Sequence, residues 1–384
     1  MKIVIITAII PKEKRGLGVV VLNHAKALKE NGFEVTIFCR GDKLESVIFE
    51  GIRINTFKYD QQSNSILNYI LTTRNAKLAW NYFYDNNVID VVHGHDYVIY
   101  KSILKKLKPN TLKVFTVNDP LVYHQNMIKG SDIGLLKRLI FTWIEKNVYL
   151  DSDRIHFISE YTFNRFLLKD NNIKSKSLLV ECWADYNRFV LPSNKNEVRN
   201  SMGVYDEFVI FTLRALEPRM GLDRLIEAFH KFEKQIDCKC RLVIGGKGPM
   251  MSELEELKNS LQLTNVELMG YVSDEDAVKW YQSSDVVVVP SLDGEGFGLP
   301  IIEAMACGTP ALGTPNCAIP EVLSEKQDRL FRDDTIDGIF EGLVQYYGKW
   351  LNNLLPKPEE ERQYVLDRYC KSKIVDKIIN TYTK

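Results

Sequence analysis

The chain has 384 residues, enough for about two domains at roughly 100–200 residues each, each able to bury its own core. Lys and Arg total 50 against 50 Asp and Glu, so the formal charge is zero; this disfavours a nucleic-acid partner, while 45% hydrophobic and 26% charged residues exclude a disordered chain. The seven cysteines are odd in number and contain no CxxC pair, which argues for reduced thiols in a cytoplasmic protein rather than a disulfide or zinc framework.

KIVIITA (2–8) is too short to cross a bilayer and is closed by no small-residue cleavage site, so it reads as a first buried strand. A helical stretch follows over 18–30. Apolar runs then come at FEVTIFC (33–39), IDVVHG (89–94), KVFTV (113–117) and RIHFIS (154–159). Continuous apolar strands mark a parallel sheet covered on both faces, and their alternation with helices predicts right-handed βαβ units. No later segment reaches about 18 uninterrupted apolar residues, so no membrane-spanning anchor is expected. Residues 185–205 are polar, carry Pro192 and lack an apolar period, as a linker would.

Alternation restarts after the linker. FVIFTLR (208–214) precedes a helix at 221–234, RLVIGG (241–246) one at 250–261, NVELMG (265–270) one at 274–282, and DVVVVPS (285–291) one at 299–307. The tail 360–382 has a helical apolar period. The expected fold is therefore α/β: two Rossmann-like, doubly wound domains, 1–188 and 189–364, facing across a cleft, with a last helix at 365–384 packing back on the first. Ligands in such sheets bind beyond the carboxyl ends of the strands.

The densest motif is DGEGFGLPIIEAMACGTP (293–310). Glycines at 294, 296 and 298 allow close backbone approach, and Pro300 suits the first turn of a helix. Free amides near 297–300 make an anion site, to which the chain contributes the backbone of Gly296, Phe297, Gly298 and Leu299. Glu295 in the loop and Glu303 in the first helical turn are poor phosphate ligands but good acceptors for sugar and ribose hydroxyls. Arg214, at a strand end, is placed to neutralise a diphosphate leaving group. GGKGP (245–249) is a second glycine turn, with Gly246, Lys247 and Gly248. In the first half, RGLGVVV (15–21) carries Gly16 and Gly18 without the full GxGxxG spacing, and DVVHGHDY (90–97) places His93 and His95 at the end of a buried strand.

The 293–310 segment resembles the E-x7-E signature of family 4 retaining glycosyltransferases, which have the GT-B fold. The resemblance implies that Glu295 contacts the donor sugar and Glu303 the nucleotide ribose. It assigns Arg214 to the diphosphate, Gly16 and Gly18 to a loop closing over the donor, Gly246, Lys247 and Gly248 to the nucleoside side, and Tyr271 and Val272 to a turn that contacts the base through its backbone. It also implies acceptor-side roles for His93 and His95, with His95 favoured as a catalytic group, and for Asn118 and Asp119. The family's Lys six positions after the arginine is Met220 here, so Arg219 or Lys247 is expected to supply the missing charge.

The implied activity is transfer of a sugar from a UDP-, GDP- or ADP-sugar to a glycan, lipid-linked or small-molecule acceptor, without metal or other cofactor. Asp151-Ser152-Asp153 imitates a metal-binding DxD, but it precedes a strand rather than following one. A sugar-nucleotide epimerase and a non-catalytic sugar-nucleotide binder are the alternatives. Lysines mixed with large apolar residues at 97–108 and 133–148 suggest peripheral contact with the inner membrane face.

Overall fold

A computed structural model of the chain describes residues 1–8, 16–59, 65–85, 87–119, 135–166, 171–236 and 239–383. It divides into two compact units, Met1–Glu181 with Ser372–Lys384, and Cys182–Lys371.

The first unit is built on eight strands: β1 (Lys2–Thr7), β2 (Glu34–Gly41), β3 (Glu45–Phe49), β4 (Ile52–Lys58), β5 (Val91–Gly94), β6 (Leu112–Val117), β7 (Arg154–Phe157) and β8 (Ser177–Leu179). Their order is β3-β4-β2-β1-β5-β6-β7-β8, and only the β3–β4 pair is antiparallel. The helices are α1 (Gly16–Glu30), α2 (Ser65–Tyr84), α3 (Tyr97–Ile103, continued by a 3-10 turn at Leu104–Lys106), α4 (Leu135–Asp151), α5 (Glu160–Phe166) and α6 (Asn171–Lys174). Successive residues of a strand face opposite sides. Val92 accordingly joins the core formed with Trp80 of α2, Tyr100 of α3 and Val148 of α4, whereas His93 faces the other way.

The second unit includes α7 (Lys195–Ser201), inside the stretch expected to be the interdomain linker. Asn194 caps it, accepting from the amides of Asn196 and Glu197. Five parallel strands follow: β9 (Phe208–Leu213), β10 (Cys240–Gly245), β11 (Val266–Gly270), β12 (Val286–Val289) and β13 (Ala311–Gly313), in the order β11-β10-β9-β12-β13. All four valines of β12 are buried, as a central strand covered on both faces requires. The intervening helices are α8 (Leu222–Gln235), α9 (Met251–Ser260), α10 (Asp274–Ser283), α11 (Leu299–Ala306), α12 (Ile319–Val322), α13 (Ile336–Leu351) and α14 (Pro358–Arg368). In α8, Leu222, Leu225, Ile226 and Phe229 follow a helical period and are fully buried.

The tail is two helices rather than one, broken at Tyr369–Cys370. The second, α15 (Lys371–Thr383), falls almost wholly in the first unit. The units part at 181/182 rather than 188/189, and the returning segment starts at Ser372 rather than 365. Hydrogen bonds explain the shift. Arg362 of α14 donates to the carbonyls of Tyr186 and Phe189 and to that of Ala306 at the end of α11. Glu361, fully buried, pairs with Arg329. These bonds hold α14 and residues 186–189 in the second unit.

Candidate functional site

In the second sheet the order of strand addition reverses at β9, which pairs with β10 on one side and β12 on the other. The carboxyl ends of β9 and β12 therefore flank a switch point, where open parallel sheets bind ligands. Arg214 immediately follows β9, and Ser291 and Glu295 follow β12. Arg214 is 7% exposed; its Nη2 lies 2.7 Å from Ser291 Oγ and 2.9 Å from Met220 Sδ, and it donates to Glu295 Oε2. Burial pushes the Glu295 carboxyl up, but the charge and hydrogen bond of Arg214, with Arg219 and Ser291, outweigh it and hold the group below its usual range. Glu295 is thus an anion at neutral pH, paired with a buried cation.

Arg219 braces the loop carrying Glu295. Its Nε donates to Glu217 (2.8 Å), its Nη1 to the carbonyl of Gly294 (2.8 Å), and its own carbonyl accepts from Leu292 N (2.9 Å). The Glu295 carbonyl accepts from Ala318 N at 3.2 Å. Gly298, at φ 97°, caps α11, and Pro300 lies in its first turn. Glu303 is the fifth residue of α11, in the second turn rather than the first. It accepts from Tyr281 Oη at 3.0 Å. Burial pushes its carboxyl up, against the pull of Arg188. Phe297 is buried against the Tyr369 ring, so Phe297 can meet a ligand only through its backbone.

The second glycine turn leaves β10 toward α9. Gly246 has φ 134°, and a Cβ there would lie 1.7 Å from the Arg214 carbonyl oxygen, so no other residue fits. A Cβ on Gly248 would meet the Leu216 carbonyl at 2.2 Å. Lys247 is exposed and places its Nζ 5.2 Å from the centre of the Tyr271 ring, which is 61% exposed. Val272 is partly buried beside Gly245. Of the two cations expected to replace a lysine at 220, Arg219 is engaged by the loop and Lys247 faces solvent.

The first sheet reverses at β1, between β2 and β5. Gly16 and Gly18 open α1 beyond it; residues 9–15, including Arg15, lie outside the described residues. His93 is fully buried and both its ring nitrogens bond within the unit, Nδ1 to Tyr382 Oη of α15 and Nε2 to Thr116 Oγ1, each at 2.6 Å. That leaves His93 no nitrogen for an acceptor, a correction to the expected role. His95 Nδ1 lies 3.3 Å from Asn118 Nδ2, and its Nε2 is buried with no partner among the described residues. Asp119 is half-buried beyond β6.

Two histidines without a sequence signal, His24 of α1 and His156 of β7, complete a buried group of four. His24 is centred 5.5 Å from His95, and His93 lies 4.8 Å from His95 and 5.2 Å from His156. Ser291, Tyr281 and Arg188 were equally missed; Ser291 alone had a signal, as a polar residue ending an apolar strand. Asp151 and Asp153 are tied to the scaffold, the first by Lys101 and the second by the Lys113 amide. Among the described residues, no cluster of His, Cys, Asp or Glu is arranged to hold a metal ion, and no helix is long and apolar enough to cross a membrane.

Comparison with known proteins bears on the family and the fold. The family described as Glycosyltransferase Family 4 matches residues 14–176, and Glycosyl transferases group 1 matches 194–347. An uncharacterized glycosyltransferase of Methanocaldococcus jannaschii is 26% identical over 83% of this chain and 80% of its own length. Mannosylfructose-phosphate synthase of Agrobacterium fabrum is 31% identical over 44% of this chain and 39% of its own. Sucrose-phosphate synthase of Thermosynechococcus elongatus superposes with TM-score 0.81 at 18% identity, covering 99% of this chain and 98% of that one. HepE of Anabaena, solved with UDP and glucose, gives 0.78 at 16% identity over 100% of both chains. These likenesses identify the fold as GT-B.

Proposed function

Because this chain belongs to the family 4, group 1 glycosyltransferases, we propose that it moves a sugar from a UDP-, GDP- or ADP-sugar to a hydroxyl of a glycan, lipid-linked or small-molecule acceptor, retaining the anomeric configuration and needing no metal. The observation that carries this reading is the placement of Arg214 and Glu295 at the ends of the two strands flanking the switch point, in contact with each other. A diphosphate entering there meets a cation already buried, where charge stabilisation is strongest.

The bond from the anomeric carbon to the phosphate oxygen breaks, and its electron pair leaves with the diphosphate. Arg214 and the amides that open α11 stabilise that charge. The acceptor oxygen bonds to the anomeric carbon and gives up its proton to the departing phosphate. Glu295 accepts from hydroxyls of the donor sugar, and Glu303 from the ribose. Lys247 and Tyr271 lie on the nucleoside side, with the backbone of Val272. His95, through its Nε2, serves the reacting sugar, with Asn118 and Asp119 on the acceptor side. Contact with an anionic membrane surface belongs to the same reading, since it would suit a lipid-linked acceptor.

The test is a melting screen of the intact chain with nucleoside diphosphate sugars, followed by transfer assays with whichever sugar stabilises it. The expected result is stabilisation by one donor and transfer lost in Glu295→Gln. Stabilisation with neither transfer nor hydrolysis would support a non-catalytic binder, and a rearranged sugar from donor alone would support an epimerase.

A further inference from the structure

Helices α2, α3 and α4 lie side by side in one layer of the first unit, with α3 between the other two. All three bury residues in the same core, and their outer faces look away from the sheet. An ordinary surface helix turns charged residues outward. Here the outward row of α4 is Leu135 (74% exposed), Leu139 (59%) and Trp143 (57%), at i, i+4 and i+8, spanning about 12 Å along the helix. Leu78 and Tyr82 repeat the pattern on α2, at 58% and 72%.

Charge is distributed just as unevenly. Over α2, α3 with its 3-10 turn, and α4, the chain places eight Lys or Arg against two acids, Glu145 and Asp151, although the whole chain is neutral. Lys105, Lys106, Arg138 and Lys146 are exposed. Lys101 lies over the Trp143 ring, its Nζ 5.6 Å from the centre, but it is largely buried and paired with Asp151, so the cations open to a partner include Lys105, Lys106, Arg138 and Lys146.

The geometry points to this outer face as a docking surface for an anionic phospholipid bilayer. An acidic protein or a nucleic acid would answer the charge but leave the leucines and Trp143 uncovered. A second copy of this chain would bury the apolar row but bring like charges together. A bilayer answers both: Leu and Trp enter the headgroup region while Lys and Arg stay at the level of the phosphates. The surface lies in the unit to which the proposed function gives the acceptor, so the biological use of docking rests on that reading while the docking itself does not.

The test uses the full chain and sedimented vesicles at about 0.1 M salt, where surface attraction still acts. One set is pure phosphatidylcholine; the other carries about one-third phosphatidylglycerol. The chain should pellet with the anionic set only, and release as salt rises. Leu139→Glu with Trp143→Glu changes two exposed residues and should lower the bound fraction at least about tenfold with an unchanged melting temperature. Lys105→Glu with Lys106→Glu touches no apolar residue and should weaken binding in the same direction, so the idea stays testable if the first variant misfolds.

A wild-type chain that stays in the supernatant, or variants that pellet like wild type, would overturn the proposal. Equal binding to neutral vesicles would overturn its electrostatic half. A dimer in solution that Leu139→Glu with Trp143→Glu dissociates, without vesicle binding, would assign the face to self-association instead. Melting shifts with donor sugars report on the second unit, so a failed transferase reading and a failed docking surface give different results.

Discussion

Arg214 and Glu295 form a buried pair, and breaking such a pair differs from removing it. Arg214→Ala leaves a carboxylate buried beside Ser291 without its cation, at a cost of about 3–5 kcal/mol. Urea unfolding should show that loss, alongside a transfer rate lower by about two to three orders of magnitude. Combining Arg214→Met with Glu295→Gln should restore stability without restoring transfer; a double variant that regained activity would separate this pair from the chemistry. Met220 is informative in the opposite direction. It is 6% exposed, with its sulfur against the Arg214 guanidinium. A lysine there would sit buried beside an existing cation, so Met220→Lys should melt several degrees lower without ligand. A bound diphosphate would offset both charges. Nucleoside diphosphate should therefore raise the melting temperature of Met220→Lys by more than that of wild type, and an equal or smaller rise would argue that the phosphates bind elsewhere.

At the scale of elements, the turn Pro218–Met220 and the loop 292–295 behave as one piece, because Arg219 bonds them through both side chain and carbonyl. Arg219→Ala should lower kcat about tenfold by loosening Glu295 while leaving affinity for a nucleoside diphosphate without sugar nearly unchanged. A large loss of nucleotide affinity would make Arg219 a phosphate ligand after all. That division of labour was not legible in the sequence, which offers Arg219 and Lys247 as equivalent cations; only the path of the loop tells them apart. The parallel strands were legible because burial on both faces forces unbroken apolar runs, as in the four valines of β12. The β3–β4 hairpin was not legible because β3 is a five-residue edge strand with none of its residues buried, and its Ile48 is 72% exposed. Helix α7 does carry a mark in the sequence: Asn194 followed three residues later by Glu197, whose carboxylate accepts from Asn194 Nδ2 while Asn194 caps the first amides. The break in the C-terminal tail left no such mark, because both halves share a helical period and differ only in the unit that receives them.

At the scale of the molecule, four of the six histidines converge from α1, β5 with the residue that follows it, and β7, more than 130 positions apart in the chain at the extremes, on one buried group in the first unit. Burial lowers His24 to about 4 and His156 to about 3, and burial with the other rings holds His93 and His95 well below the usual value. Around them stand the hydroxyls of Thr116, Thr381 and Tyr382 and the amide of Asn118, and among the described residues no carboxylate is hydrogen-bonded to His93, His95 or His156. The folded state therefore keeps these histidines neutral, while the unfolded chain takes up protons once the pH drops below about 6.5. Since the unfolded state then binds more protons, stability is full above that pH and falls as the pH decreases toward the folded-state values. Each histidine contributes a slope of about 1.4 kcal/mol per pH unit, so the four together make the first unit steeply acid-labile. Two of the rings bond to α15, His93 to Tyr382 and His156 to Thr381, so loss of that helix from the sheet should accompany the transition. Denaturant unfolding between pH 7.5 and 5 should give a stability that is nearly flat at the upper end and drops ever more steeply below about pH 6.5, its slope approaching about four protons near pH 5, and His156→Gln should reduce that limiting slope by about one. A flat profile over that range would mean that the cluster protonates without leaving its place, and that the four rings are not held neutral by the fold.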